Sequence, residues 1–321
     1  MERKTFSIGL DLGGTKLAGA LLDHNGKIID FIKIPVEMKK EGTPLKTQKR
    51  VIGLMTDICH DFKKRFPKEC TKTFFKGVGL ASAGPLDTEK GQLINPINFP
   101  GWKTVPVKKL LQTSLDKSEL KTKVYFQNDA IAAALAEGWI GGAKQMSSYG
   151  IVTVGTGIGS GIIFNNQPCQ SHGMGSEFGH LIVDMNSLMK NPKNLNHYTV
   201  EGIASGTALL RRSKELGFKG ESVEELVHAF KNGERKYQIL FDEMAMALAI
   251  LCFDLSIGFN LEGIFISGGL IKIKELYLDQ LKKNYTLLLT QFNPKFKTKI
   301  QIAKTQNQAG VIGAGYLPYL L

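Results

Sequence analysis

An acidic residue at the end of an apolar strand, followed by two glycines, a hydroxyl and a cation, suits the binding of polyphosphate. Asp11-Leu12-Gly13-Gly14-Thr15-Lys16 has this composition. Exposed N–H groups in such a turn can donate to phosphate oxygens, and glycine lets the phosphate approach the backbone. Asp11 is suited to holding Mg²⁺, directly or through water. Thr15 and Lys16 add a hydroxyl and a positive charge. This is not a Walker A loop. Gly9 and Gly14 have the spacing, but Thr15-Lys16 reverses the Lys-Ser/Thr order and a strand follows instead of a helix. A second run, Gly155-Thr156-Gly157-Ile158-Gly159-Ser160-Gly161, reads as another anion cradle. It misses the GxGxxG dinucleotide fingerprint because Ser160 stands where the third glycine belongs. Two such turns fit a nucleotide triphosphate gripped from both sides. Gly268-Gly269, after an apolar strand, offers a third close approach, suited to the adenosine.

The elements that must position these residues are visible in the patterning. Phe6, Ile8 and Leu10 alternate with Ser7, Gly9 and Asp11, which predicts a strand. A second apolar run covers 17–22, Asp23-His24-Asn25-Gly26 has turn chemistry, and 27–36 alternates again. Val51, Leu54, Met55, Ile58 and Phe62 share one face of a helix predicted over 46–66. Further strands are expected at 77–81 and 124–127, the latter ending in Asn128-Asp129 before a helix over 130–137. The strand, Gly/Thr turn and return strand then recur at 149–164, with 155–161 as the turn. That repetition predicts two related lobes. The second half reads as more helical, with strands at 264–267 and 300–303 and a closing helix over 309–319.

Composition limits the function classes. Hydrophobic residues make up 43% and charged residues 22%, enough apolar content for a full core rather than a disordered chain. Lys+Arg number 41 against 29 Asp+Glu, a net charge of +12. The lysines are scattered (Lys39-Lys40, Lys63-Lys64, Lys282-Lys283) without an arginine-rich block, which fits a phosphate-bearing ligand better than nucleic acid or membrane. Cys59, Cys70, Cys169 and Cys252 form no CxxC pair, so neither a disulfide framework nor a cysteine zinc site is indicated. The start, Met1-Glu2-Arg3-Lys4, leads into no apolar signal region, and the apolar stretch 244–259 contains Asp254 and is short for a bilayer. A cytoplasmic protein with no membrane partner is expected.

Taken in order, Asp-Leu-Gly-Gly-Thr-Lys, Ser-Ala-Gly-Pro-Leu-Asp, Asn-Phe-Pro-Gly-Trp, Asn-Asp-Ala, Gly-Thr-Gly-Ile-Gly-Ser-Gly, Gly-Ser-Glu-Phe-Gly-His and Ala-Gly-Val-Ile-Gly-Ala resemble the ROK sugar kinase family. The resemblance runs from about residue 6 to the C-terminus. It implies an α/β, two-lobed actin-like ATPase (ribonuclease H-like) fold, with duplicated mixed sheets, helices and a central cleft. The smaller lobe is expected over residues 1–120 plus 305–321 and the larger over 121–304. The implied activity is ATP-dependent phosphorylation of a hexose hydroxyl, most simply by a glucokinase. N-acetylglucosamine, N-acetylmannosamine and fructose are alternative substrates. ATP and Mg²⁺ are the implied cofactors, a homodimer is the family expectation, and sugar binding is expected to close the lobes over ATP. Asp129 is implied as the base facing the sugar hydroxyl. Asn98, Asn128, Glu177, His180 and Glu201 are implied as sugar ligands. Asp11, Gly13, Gly14, Thr15, Lys16, Gly155, Thr156, Gly157, Gly268 and Gly269 would serve ATP and Mg²⁺.

The chemistry agrees with that assignment. A ring of hydroxyls is discriminated by carboxylates and amides that accept and donate in pairs. Phosphoryl transfer needs positioning, charge neutralisation and a proton acceptor near the nucleophile. One departure stands out. Most relatives carry CxCGxxGC after the Glu-Phe-Gly-His motif and bind structural zinc, whereas 181–200 here has no cysteine and 184–198 is rich in Asn and Lys. No structural zinc is expected, and His197 reads as a solvated loop residue. Some relatives are sugar-sensing repressors with a helix-turn-helix region ahead of the first strand. Here that strand begins at Phe6, which disfavours that role.

Overall fold

The first seven apolar-patterned residues, Phe6–Leu12, form strand β1. The chain turns back through β2 (Lys16–Asp23) and again through β3 (Ile28–Pro35), an antiparallel meander. After helix α1 (Pro44–Arg65) come β4 (Phe75–Ser82) and β5 (Val124–Asn128), which add parallel strands on the other side of β1. The sheet order is β3-β2-β1-β4-β5. This computed structural model describes residues 4–36, 43–173 and 175–320, so the Lys39-Lys40 pair lies outside the described residues.

Alternation in β1 suggests one dry and one wet face, yet every residue of the strand except Asp11 is buried. The Ser7/Gly9 face is covered by the closing helix, Ala309–Tyr316, which ends earlier than the sequence suggests and runs on as a 3₁₀ turn, Leu317–Tyr319. Ser7 Oγ donates to the Gly315 carbonyl at 2.6 Å. A Cβ on Gly9 would collide with the Val311 carbonyl, and one on its strand partner Gly79 with that of Ala314. Glycine is required at this pair because helix backbone lies directly on the sheet.

The second sheet repeats the plan. Strand β6 (Tyr149–Val154) pairs antiparallel with β7 (Ile158–Phe164), and β9 (Gly263–Ser267) and β10 (Lys299–Ile302) follow in parallel. With the short β8 (Gln167–Pro168) at the edge, the order is β8-β7-β6-β9-β10. The turn is shorter than 155–161, because Ile158 pairs with Val154 and Gly159 and Gly161 already lie in the ladder. Only Gly155-Thr156-Gly157 connects the strands, matching Gly13-Gly14-Thr15 between β1 and β2.

The chain divides into two units, Met1–Gln145 with Pro168–Gly175 and Lys304–Leu321, and Met146–Gln167 with Ser176–Ala303. The division falls later than residue 120, because β5 hydrogen-bonds to β4 and helix α2 (Val107–Asp116) and helix α3 (Asp129–Trp139) go with that sheet. The second unit also carries α4 (Met185–Lys190), α5 (Val200–Ala204), α6 (Gly206–Glu215), α7 (Val223–Lys231), α8 (Gln238–Phe259) and α9 (Leu278–Phe292). Helix α8 is apolar on nearly all sides, which fits its burial in the core of this unit. Among the described residues no helix is long and apolar enough to cross a membrane.

Candidate active site

In the first unit, Asp11 sits near the end of β1, opposite Ala18 on β2 and Ala81 on β4. The carboxylate lies against Gly310 in the first turn of the closing helix, and a Cβ on that glycine would occupy the same space. Burial pushes the Asp11 carboxyl up to about 7, the negative charge of Asp129 pushes it the same way, and Lys33 opposes them. An acid held this far above its ordinary range fits a bound cation, which would restore the ionised form.

The turn beside Asp11 is closed by its own backbone. The Gly13 N–H donates to the Lys16 carbonyl at 2.9 Å, and the Val36 N–H to that of Thr15 at 2.8 Å. Thr15 and Lys16 are exposed. A Cβ on Gly14 would come within 2.6 Å of the Asn98 carbonyl oxygen and 2.9 Å of its Cβ. The structure therefore brings the implied sugar ligand Asn98 directly against the implied phosphate turn, although the two are far apart in sequence.

Asn128 ends β5 and caps α3. Its Oδ1 accepts from the N–H groups of Ala130 at 2.9 Å and Ile131 at 3.2 Å. This arrangement orients the side chain and commits its carbonyl end to the helix, leaving the amide NH₂ as the end available to a ligand. Asp129 is the first residue of that helix, and its Oδ1 accepts from the Ala130 N–H at 2.8 Å. Burial raises the Asp129 carboxyl, and the hydrogen bond from Ala130 lowers it in part. A raised carboxyl at a helix start is a better proton acceptor than an ordinary one, provided it is ionised.

In the second unit the turn is held from below. The Gly155 N–H donates to Gly157 O at 2.9 Å. The Gly206 N–H donates to Gly155 O at 2.8 Å, and Thr207 Oγ1 to Thr156 O at 2.9 Å. Glu201, on α5, lies over Gly157, and its Oε2 accepts the Ile158 N–H at 2.8 Å. Glu201 thus braces the cradle as well as being an implied sugar ligand. One of its oxygens is committed to the backbone, which leaves Oε1 for a hydroxyl. Thr207 escaped the sequence reading. Its only signal was its place after Ser205-Gly206, at the start of α6.

Ser160, the residue that breaks the dinucleotide fingerprint, has a structural task. Its Oγ donates to the Ser176 carbonyl and accepts from the Phe178 N–H at 3.0 Å. Those bonds flank Glu177 and hold its loop to β7. The His180 N–H donates to the Glu177 carbonyl at 3.1 Å, closing a short 3₁₀ turn, and both side chains are exposed. Gly268 follows β9 with φ +96°, and a Cβ there would strike the Val154 backbone. Gly269 beside it has open space where a Cβ would stand. Packing alone thus accounts for the first of the two glycines, and only the second leaves room for a ligand.

The segment that departs from the family pattern is braced by backbone and caps. Ile182 bridges Thr199, the Val183 N–H donates to Tyr198 O at 2.8 Å, and Asp184 caps α4 through the Ser187 N–H at 2.9 Å. Among the described residues there is no group of three or more His, Cys, Asp or Glu suited to a metal. His197 is exposed and lines a cavity of about 580 Å³ together with Asp184, Lys190, Arg211, Arg212 and Glu243. None of the implied ligands lines that cavity, and its arginines are already paired, Arg211 with Glu215 and Arg212 with Glu243.

Comparison with known proteins bears on the family and the fold. A glucokinase of Halalkalibacterium halodurans is 29% identical, the match covering 97% of this chain and 94% of that protein. An N-acetylmannosamine kinase of Haemophilus influenzae is 30% identical, over 96% and 94% of the two chains. The crystal structure of the ROK hexokinase from Thermus thermophilus superposes with a TM-score of 0.82 at 27% identity, covering 99% of this chain and 98% of that one. The ROK family model matches residues 7–319, and this chain belongs to the ROK family.

Proposed function

We propose that the protein is an ATP-dependent hexose kinase, a phosphotransferase with an alcohol acceptor, and that glucose is its first candidate substrate. The observation that carries the reading is the pair Asp11 and Asp129, two carboxylates of one unit that burial raises, Asp11 also by the charge of Asp129. Asp129 is the base. Its carboxylate takes the proton of the sugar hydroxyl as that oxygen forms its bond to the γ-phosphorus and the bond to the ADP oxygen breaks. Such a base contributes about 10²–10⁴-fold. Asp11 would hold the Mg²⁺ that neutralises charge on the polyphosphate. Gly14, Thr15 and Lys16, with Thr156 and Gly157, supply N–H groups, hydroxyls and a cation to the phosphates; Gly13 and Gly155, whose own N–H groups close the turns, let the phosphates approach the backbone, and Gly268 and Gly269 flank the adenosine.

Asn98, Asn128, Glu177, His180 and Glu201 orient the sugar, presenting donors and acceptors in the mixture that a polyol needs. The raised carboxyl of Asp129 predicts that turnover falls as pH drops through its pKa, because only the ionised form can accept the proton. The reading includes a cytoplasmic enzyme, where ATP is at hand, acting as a homodimer. A second sugar merits equal testing, since a relative named for N-acetylmannosamine is as similar as the glucokinases. The deciding experiment is a coupled ADP-release assay with ATP and Mg²⁺ across glucose, N-acetylmannosamine, N-acetylglucosamine and fructose. Sugar-dependent ADP release with one of them is expected, and none with any hexose would remove the reading.

A further inference from the structure

Glu137 is fully buried, yet its carboxylate touches no basic side chain among the described residues. Burying a charge unpaired is costly, so its oxygens must be satisfied otherwise. Four donors do this. The Gly142 N–H reaches Oε1 at 2.6 Å. The Lys304 N–H is shared between Oε1 at 2.9 Å and Oε2 at 3.1 Å. The Thr305 N–H reaches Oε2 at 3.1 Å, and Thr305 Oγ1 at 2.8 Å. Gly141 leaves the room, since a Cβ there would stand 2.5 Å from both carboxylate oxygens. A single acid thus clasps two segments of chain far apart in sequence.

Those segments are connections of the first unit. The chain leaves it after Gln145 and re-enters it for the last time at Lys304. From Thr305 a 3₁₀ turn, Gln306–Gln308, leads straight into the closing helix, whose Gly310 meets the Asp11 carboxylate. Glu137 itself lies on α3, the helix that begins with Asp129, about 12 Å along its axis from that residue. One buried side chain therefore joins the helix that carries the base to the segment that sets where the closing helix begins.

We infer that Glu137 is a positioning residue for phosphoryl transfer, holding the Lys304–Thr305 segment so that the closing helix stays registered against Asp11. The inference rests on the kinase reading for its chemistry and on geometry within one unit for its cause. Glu137→Gln keeps the shape but turns a donor toward donors, because an amide nitrogen then faces the N–H of Lys304 or Thr305. Thr305→Val removes one donor and leaves the acid three others.

The test compares the full-length parent, Glu137→Gln and Thr305→Val, each checked for folding by near-ultraviolet circular dichroism. For Glu137→Gln we expect kcat to fall about 10- to 100-fold, the range for a small misplacement of reacting groups. Affinity for a non-hydrolysable ATP analogue should weaken in parallel, while sugar affinity measured without nucleotide stays within about twofold. Thr305→Val should move the same quantities in the same direction, by a smaller factor. A folded Glu137→Gln with parental kcat and nucleotide affinity would overturn the inference. So would equal loss of sugar and nucleotide binding, which marks general destabilisation. If Glu137→Gln does not fold, Thr305→Val decides alone, and parental nucleotide affinity in it overturns the inference. Failure of the kinase reading looks different: the parent itself turns over no sugar, and the nucleotide titration still reports on Glu137.

Discussion

The two glycine turns occupy equivalent places in two sheets of the same strand order, yet the acids beside them are held in opposite ways. In the unit of Gly13-Gly14-Thr15, burial raises Asp11 and Asp129, and the charge of Asp129 raises Asp11 further. Next to Gly155-Thr156-Gly157, Glu201 is spent on a backbone N–H and stiffens the turn. In the first unit burial holds two carboxyls toward their neutral form, which a bound cation would reverse. The second presents a finished scaffold. Duplication preserved the hairpin, which depends on local turn chemistry, but not the electrostatics, which depend on what packs behind it.

The sharpest way to break this contrast is at Asp129, the proposed base. Asp129→Asn should lower kcat by about 10²–10⁴-fold with sugar affinity near the parent's, measured by calorimetry. A variant with near-parental kcat removes Asp129 from its role. Next come the glycines that host each acid. Gly310→Ala puts a methyl where the Asp11 carboxylate lies and should cost about 10²-fold in turnover, although alanine favours the helix itself. Gly157→Ala pushes on Glu201 and should cost less, about tenfold, mainly in nucleotide affinity. Equal losses in kcat for both would erase the distinction between a charged site and a scaffold.

A smaller effect is read as stability without nucleotide or Mg²⁺. The Asp11 carboxyl titrates at about 7 in the folded chain against an ordinary value of 3.8, so between these values the folded chain binds more protons than the unfolded one. The contribution from Asp11 is then fully present below about pH 4 and is lost as pH rises through 7. Asp11→Asn should remove that slope and be more stable than the parent at pH 8, by on the order of a few kcal/mol, because burial penalises the charged carboxylate. A parent whose melting temperature, relative to Asp11→Asn, does not fall between pH 5 and pH 8 would show that the carboxylate is not strained.

Much of the candidate site was legible because its signals are local. Gly13-Gly14 and Gly155 to Gly157 announce their turns, and Asn128-Asp129 marks a strand end and a helix start. The lobe division near residue 120 was not legible, since nothing in 121–128 says which sheet will accept that strand. Ser160 looked like a defect in a fingerprint and proved to be the peg for the Glu177 loop. Glu137 gave no signal at all, a polar residue in an alanine-rich helix, with its partners Lys304 and Thr305 more than a hundred residues away.

From residue types and spacing alone came the two hairpins and the turn chemistry, because backbone preference and side-chain chemistry act over a few residues; the candidate base and the missing zinc cysteines came from the family resemblance that the sequence carries. Tertiary structure alone decided that Asp11 faces Gly310, that Glu201 is tied to Ile158 and that Glu137 joins two distant segments. A carboxylate's charge state and partners depend on what surrounds it in space, and only the packed chain supplies those surroundings.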